Sequence, residues 1–357
     1  MKTDKHTRSS ETPKKQRVRD SRNTDYITVA SADAERLRRA RARERQRKQR
    51  KRRKIILSGI VLCLVLTMVF LIVHCVIKTG EEGTPTRTDA NPAASLPELP
   101  EGWKWQQMTE ADLSQGTLIL VNRDHAYDPG LPQTVSVYDK KTRSYFVKDK
   151  ILSLREEAAD ALNQWMDAFA AESGKTDVNI VAGWRSYDDQ VRLYQNAVNN
   201  KGQEYADAYL ALPGHSEHHT GLVVDLDTYN IEDGTSGGFD GDGEYAWAVS
   251  HAWEYGFIQR YPPQKSDITG INYESWHFRY VGLPHAYIMQ TENLCLEEYI
   301  DYLRNYTFSG EHLHVTCLGV SYELYYCAGD QVVVPTTGSY TISGNNVGGF
   351  IVTVELP

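Results

Sequence analysis

Eleven histidines are spread over 357 residues, yet His215, His218 and His219 fall within five positions. They belong to Pro213–Asp227, PGHSEHHTGLVVDLD, where Thr220-Gly221 can turn the chain into a strand that delivers Asp225 beyond His218. Two kinds of donor, imidazole and carboxylate, brought to one point are what a catalytic zinc ion needs. Such a site takes three protein ligands and keeps one position open. A further ligand can come from Tyr273–Gly282, YESWHFRYVG, where Glu274 and His277 flank Trp276. A carboxylate beside a metal, without joining it, can take the proton of a water whose pKa the ion lowers toward ~7. Each piece also has a plainer reading, a histidine satisfied in a core or an aspartate at a strand end. His215 and His219, four apart, are able to pair on a helix face, although the turn at Gly221 argues against a continuing helix.

These residues need a framework. Apolar positions recur at helical spacing from Ser153 to Glu172, and Ser186–Val198 also reads as a helix. Val178–Ala182, Gly221–Leu226 and Trp276–Val281 read as short strands, as does Gly116–Asn122, followed by turn chemistry at Tyr127–Gly130. Tyr245–Tyr255 is expected to be one helix closed by Gly256. Helices and short strands without regular βαβ alternation predict an α+β fold. Beyond about residue 290 one helix, Leu296–Arg304, gives way to the alternating runs Leu313–Cys317, Tyr322–Cys327, Gln331–Val334, Tyr340–Ser343 and Phe350–Val354. This predicts a small all-β appendage. The Asp/Gly-rich stretch Asp233–Gly243 does not match the calcium-loop template and reads as a surface loop.

The net charge of −8 conceals a split, since residues 1–54 carry 21 Lys/Arg against 7 Asp/Glu. The apolar run Ile55–Ile77 contains no Asp, Glu, Lys or Arg and is long enough for a helix to span a bilayer core of ~30 Å. It is too long, and its charged lead too extended, for a cleaved signal peptide. The basic run Arg50–Lys54 directly before it places the N-terminus in the cytoplasm and the remainder outside. The tail has a single aromatic residue, Tyr26, and no recognition motif, so its expected partner is anionic lipid and not nucleic acid. Cys63 and Cys75 fall in the apolar run. Cys295, Cys317 and Cys327 lie beyond it, an odd number that leaves at least one free or paired between chains.

Three blocks resemble the VanY-type D-alanyl-D-alanine carboxypeptidases, within the zinc peptidase group that includes D-Ala-D-Ala dipeptidases and Hedgehog-like domains. They are Ala182–Tyr194 (AGWRSYDDQVRLY), Pro213–Asp225 and Ile268–Gly282 (ITGINYESWHFRYVG), and the resemblance runs from about Trp103 to Tyr287. The family's Ser-x-His-x-x-Gly-x-x-x-Asp pattern lands on Ser216, His218, Gly221 and Asp225, and its Glu-x-x-His pattern on Glu274 and His277. The resemblance implies zinc held by His218, Asp225 and His277, with Glu274 as catalytic base. It puts Arg185 over the substrate carbonyl, and Ser216 and Gln190 at the terminal D-alanine. Tyr187 and Trp276 are expected to shape the pocket wall or pack the core. His215 and His219 depart from a usual Thr or Ser and Gln, Val223 from Ala and Ser275 from Pro; none removes a ligand.

The expected organisation is a basic cytoplasmic tail (1–54), a transmembrane helix (55–77), a flexible linker (78–100), a zinc D,D-carboxypeptidase domain (101–290) and a β-rich C-terminal domain (291–357). The expected substrate is the D-Ala-D-Ala terminus of peptidoglycan stem peptides or their lipid-linked precursor, outside the membrane. A D,D-dipeptidase or endopeptidase using the same site, or a non-catalytic cell-wall scaffold on this fold, are the alternatives.

Overall fold

The site rests on a five-stranded sheet with strand order Phe146–Val147, Val178–Ala182, Val223–Thr228, His277–Tyr280 and Phe257–Gln259. The first pair is parallel and the other three are antiparallel. The structure is a computed structural model, and it describes residues 97–127 and 130–357. The basic tail, the apolar run Ile55–Ile77 and most of the expected linker lie outside the described residues. Among the described residues no helix is long and apolar enough to cross a membrane.

The helix Glu156–Ser173 covers this sheet. Glu156 and Glu157 complement the positive end of its dipole, and Ala158, Leu162, Trp165, Met166 and Phe169 form its buried face. Trp165 stacks on Phe257 at 5.1 Å and meets Phe278 edge-on at 4.9 Å. Those two rings come from neighbouring strands, so one indole ties the helix to both. Its N–H donates to the Ala248 carbonyl at 3.0 Å, so the buried ring leaves no polar atom unpaired. The second helix, Tyr187–Lys201, begins at Ser186, whose hydroxyl accepts from the Asp189 N–H at 3.1 Å.

Two expectations change. Tyr245–Tyr255 is not one helix but a short α segment, Ala246–His251, between 3₁₀ turns at Gly243–Tyr245 and Ala252–Tyr255. The chain tightens to the i→i+3 pattern before Gly256, whose φ of 79° ends it. Gly116–Asn122 is not a strand of any sheet. Its residues alternate between two cores, Ile119 and Val121 packing into the core under the five-stranded sheet, Leu118 and Leu120 into the neighbouring one. With apolar neighbours on both sides, its backbone finds scattered partners instead of a ladder. The Leu118 N–H donates to Ser343 Oγ at 2.9 Å and the Leu120 N–H to the Asn345 carbonyl at 3.1 Å.

The C-terminal part contains the helix Leu296–Leu303 and a four-stranded antiparallel sheet ordered Tyr340–Gly344, Gly349–Leu356, Val320–Ala328, Leu313–Cys317. The strand Gln331–Pro335 pairs along its whole length with Trp103–Gln107. Leu324 and Ile351 share a core with Leu118, Leu120, Ile258 and Val281. The described residues thus form one compact unit. Cys295, Cys317 and Cys327 are buried free thiols, and residues 233–238 of the Asp/Gly-rich stretch are exposed, while Phe239 and Gly241 within it are buried.

Gly221 ends the 3₁₀ turn Glu217–Thr220 with φ 71°, and an added Cβ would lie 3.2 Å from Thr134 and 3.3 Å from Arg155. Gly221→Ala is therefore expected to lower stability by about 1–2 kcal/mol in chemical denaturation. It should also weaken metal binding, because the turn sets His218 against Asp225.

Candidate active site

Register places the first two donors. Asp225 and His277 are direct cross-strand partners in the antiparallel pair Val223–Thr228 and His277–Tyr280, which brings His277 Nδ1 within 3.0 Å of Asp225 Oδ1. The third donor comes from the 3₁₀ turn before the first of these strands. There His218 Nε2 stands 3.3 Å from Asp225 Oδ2. The two imidazole rings meet edge-on, with centroids 5.2 Å apart and planes at 86°. One donor atom from each of His218, Asp225 and His277 lies within 4.8 Å of the others.

The tautomer of His218 follows from its partner. A carbonyl only accepts, so Nδ1 must carry the proton it gives to the Gly183 carbonyl at 2.7 Å, leaving a bare Nε2 facing Asp225. Burial, with Arg185 nearby, keeps this imidazole below its ordinary pKa and neutral, as a ligand must be. Burial opposes ionisation of Asp225, yet the charge of His277 beside it holds it well below the usual carboxylate range. Burial alone would also depress His277, but Asp225 and Glu217 hold it up at about 9. Asp225 Oδ1 has no hydrogen-bond partner despite its nearness to His277, so the donors converge without satisfying one another. Two imidazoles and a carboxylate, desolvated and converging, fit a zinc ion.

The neighbouring histidines have other work. His219 donates from Nδ1 to the Arg185 carbonyl at 2.8 Å and accepts at Nε2 from the Gly214 N–H at 3.2 Å. His215 bonds the Asn122 carbonyl through Nδ1 at 2.8 Å. They fasten the Pro213–His219 segment to its surroundings and do not pair on a helix face.

Glu274 Oε2 lies 3.6 Å from His277 Nδ1, beside the ligand set. Burial pushes its carboxyl up to about 7, assisted by Asp225 and opposed by His277 and Arg185. Arg185 follows the strand Val178–Ala182 and directly precedes the helix cap Ser186. Its Nη1 donates to Gln190 Oε1 at 2.8 Å, and Gln190 Nε2 donates onward to the Ala211 carbonyl at 2.7 Å. Gln190 is the one buried residue of its helix, and its amide holds the guanidinium. Burial lowers the Arg185 pKa against the pull of Asp225, Asp189 and Glu274, and a guanidinium stays charged under any such shift. Arg185, Gln190, Ser216 and Glu274 line one cavity of about 270 Å³ with the three donors. Trp276 lines it too, 36% exposed, whereas Tyr187 lies on a neighbouring groove, 59% exposed.

Beneath the donors lies a cluster that motif reasoning passes over. Glu217, between Ser216 and His218, is wholly buried, and its Oε1 accepts from Arg260 Nε at 2.8 Å and Arg279 Nη1 at 2.9 Å. Burial works against its charge, but Arg260 and Arg279 hold the carboxyl far below the usual range. Arg260 also forms a fork with Glu297, at 2.7 and 2.9 Å. A signal for Arg279 was available, since it stands two residues beyond His277 and therefore on the same strand face.

A D-alanyl-D-alanine carboxypeptidase of Enterococcus faecium is 35% identical over 276 residues, which is 74% of this chain and 84% of that relative. The chain belongs to the VanY family. The family model described as VanY, D-alanyl-D-alanine carboxypeptidase, matches residues 151–283, a span that contains Arg185, the three donors and Glu274. A bifunctional D-Ala-D-Ala dipeptidase and carboxypeptidase of Enterococcus gallinarum is 38% identical over 146 residues, covering 40% of this chain and 77% of its own. Among solved structures, the vancomycin-resistance D,D-dipeptidase VanXYg, bound to a D-Ala-D-Ala phosphinate analogue, is 30% identical with a TM-score of 0.64. The match covers 71% of this chain and 99% of that one. VanY enzymes are zinc metallopeptidases, and the donor set found here is of the type zinc takes.

The different partners of His218 and His219 set opposite expectations for metal binding. Metal analysis should find zinc lost in His218→Ala and kept in His219→Ala, because only the first ring directs a bare nitrogen at Asp225. Loss confined to the second variant overturns the assignment.

Proposed function

We propose that the protein is a zinc D,D-carboxypeptidase that removes the terminal D-alanine from peptidoglycan stem peptides at the outer face of a cell membrane. One observation carries this reading: three converging donors share a cavity with a carboxylate beside them and a guanidinium held in place by Gln190. His218, Asp225 and His277 would hold the ion, which when bound supplies Lewis-acid polarisation and acidifies water.

The chain's own residues do the rest. Glu274, with a pKa near neutrality, takes a proton at Oε2 from the water that attacks the carbonyl carbon and passes it to the nitrogen of the terminal D-alanine as the peptide C–N bond breaks. Arg185, its guanidinium held by Gln190, donates N–H groups to the carbonyl oxygen as negative charge grows there. A donor fixed in advance favours the transition state over the ground state, since it need not reorganise during the reaction. Ser216, buried on the cavity wall, is placed to bind the terminal D-alanine, and Gln190 acts there through its grip on Arg185.

The outward location rests on the sequence, with the apolar run Ile55–Ile77 as anchor in membrane lipid and the basic residues before it on the cytoplasmic side. The wall peptide is exposed on the opposite side, where the catalytic residues would lie. Likeness to a bifunctional relative and to a solved D,D-dipeptidase favours one second reading, removal of the dipeptide by the same site.

Incubating the full-length protein with a pentapeptide ending in D-Ala-D-Ala tests these readings. Release of free D-alanine, abolished by a chelator and restored by zinc, is the expected result. Release of D-Ala-D-Ala supports the dipeptidase, and no hydrolysis with any metal supports a scaffold. Glu274→Gln should lower kcat by about 10²–10⁴-fold while zinc stays bound. Arg185→Ala should lower it by about 10²–10³-fold.

A further inference from the structure

We propose that Glu217 is a positioning residue for the metal ligand His277, and that Glu297, from the C-terminal segment, completes the charge cluster holding Glu217 in place. The inference rests on the zinc-site reading above and adds residues to it.

An imidazole that offers Nδ1 to a metal carries its proton on Nε2, and a buried N–H needs an acceptor. His277 turns Nδ1 toward Asp225 and Nε2 toward Glu217, whose Oε2 lies 3.7 Å away. Neither His277 Nε2 nor Glu217 Oε2 has a hydrogen-bond partner, and both residues are buried. A shift of less than about 1 Å brings them to hydrogen-bonding distance. The free oxygen of the carboxylate thus faces the free nitrogen of the ligand. The bond would fix which nitrogen bears the proton and hold the ring's angle toward Asp225.

Glu217 does this only while its own charge is balanced. Its other oxygen is taken by Arg260 and Arg279, and one carboxylate between two guanidiniums would leave excess positive charge under a cation site. Glu297 removes it. Its two oxygens accept from Arg260 Nη1 and Nη2, and Oε1 also accepts from Asn122 Nδ2 at 3.1 Å. Arg279 spends Nη2 on the Thr117 and Ile119 carbonyls, at 2.9 and 3.0 Å. The cluster therefore pairs two carboxylates with two guanidiniums, and both guanidiniums are wholly buried. Glu297 lies in the first turn of the helix Leu296–Leu303. The segment that reads in sequence as an appendage thereby contributes a charge to the floor of the metal site.

The test uses the full-length protein with zinc alone as probe, its affinity measured by competition with a chromophoric chelator. Glu217→Gln should weaken zinc binding by about 10–100-fold, the usual effect of losing a ligand's supporting carboxylate. Glu297→Gln should weaken it in the same direction. Lys265→Met removes an ion pair to Glu298 on the same helix but outside the cluster, and should leave affinity unchanged. With Co²⁺ in place of zinc, the visible absorption bands should shift in Glu217→Gln and Glu297→Gln and stay in place in Lys265→Met. If Glu217→Gln does not fold, Glu297→Gln alone decides. Wild-type affinity and spectrum in the folded glutamate variants overturn the proposal, as do equal losses in Lys265→Met. A wild-type protein that binds no zinc overturns the underlying zinc-site reading as well, which separates the two failures.

Discussion

Asp225 and His277 face each other across one antiparallel strand pair, and the site depends on that register. Side chains alternate along a strand, so a slip of one residue would turn Asp225 or His277 to the opposite face. The register is fixed from both sides of the sheet. Val224 and Phe278, the next cross-strand pair, point into the core beneath the helix Glu156–Ser173, where Phe278 meets the Trp165 indole. Burying those rings and placing the metal donors are one event, because the core face and the site face belong to the same two strands. His218 then needs only the short 3₁₀ turn and the left-handed glycine after it to reach Asp225.

The placement of Arg185 follows from the same economy of elements. The strand Val178–Ala182 pairs with Val223–Thr228, and the opposite partner of Asp225 is Ala182. Gly183 and Arg185 come immediately afterwards. The Gly183 carbonyl fixes the tautomer of His218 and the Arg185 carbonyl fastens His219. One loop at the end of a strand therefore orients a metal ligand, anchors the ligand-bearing turn and supplies the guanidinium. An added Cβ at Gly183 would lie 2.6 Å from the Ser153 carbonyl, so this close approach of two backbones needs glycine.

How much of this was legible in the sequence depended on how far each residue's neighbours lay along the chain. His218 and Asp225, or Glu274 and His277, lie a few positions apart in motifs whose types and spacing constrain one another. The strand Val178–Ala182 and the helix Leu296–Leu303 were legible from local pattern. Leu118–Val121 was not, because its alternation reflects two cores on either side and not a sheet with one wet face. The roles of His215 and His219 were hidden as well, since their partners are backbone carbonyls that carry no sequence signature. Glu217, Arg260 and Glu297 read as ordinary charges until folding removes the water around them.

That cluster also bears on why the C-terminal segment belongs with the rest of the protein. A buried ion pair contributes little stability by itself, because desolvation of both partners offsets most of their attraction. Removing one member is different, since it strands a buried charge. The arrangement Glu217–Arg260–Glu297 is therefore better suited to fixing position than to adding stability: each group is costly to misplace once its partners are present. Glu297 enters from a helix whose buried face, Leu296, Tyr299, Ile300 and Leu303, packs in a core shared with Leu118 and Val281. Apolar packing places the helix, the helix places Glu297, and Glu297 balances the guanidinium that shares Glu217 beneath the metal donors. Each step couples the ordinary burial of side chains to the geometry of the site, with no need for the C-terminal segment to touch the substrate.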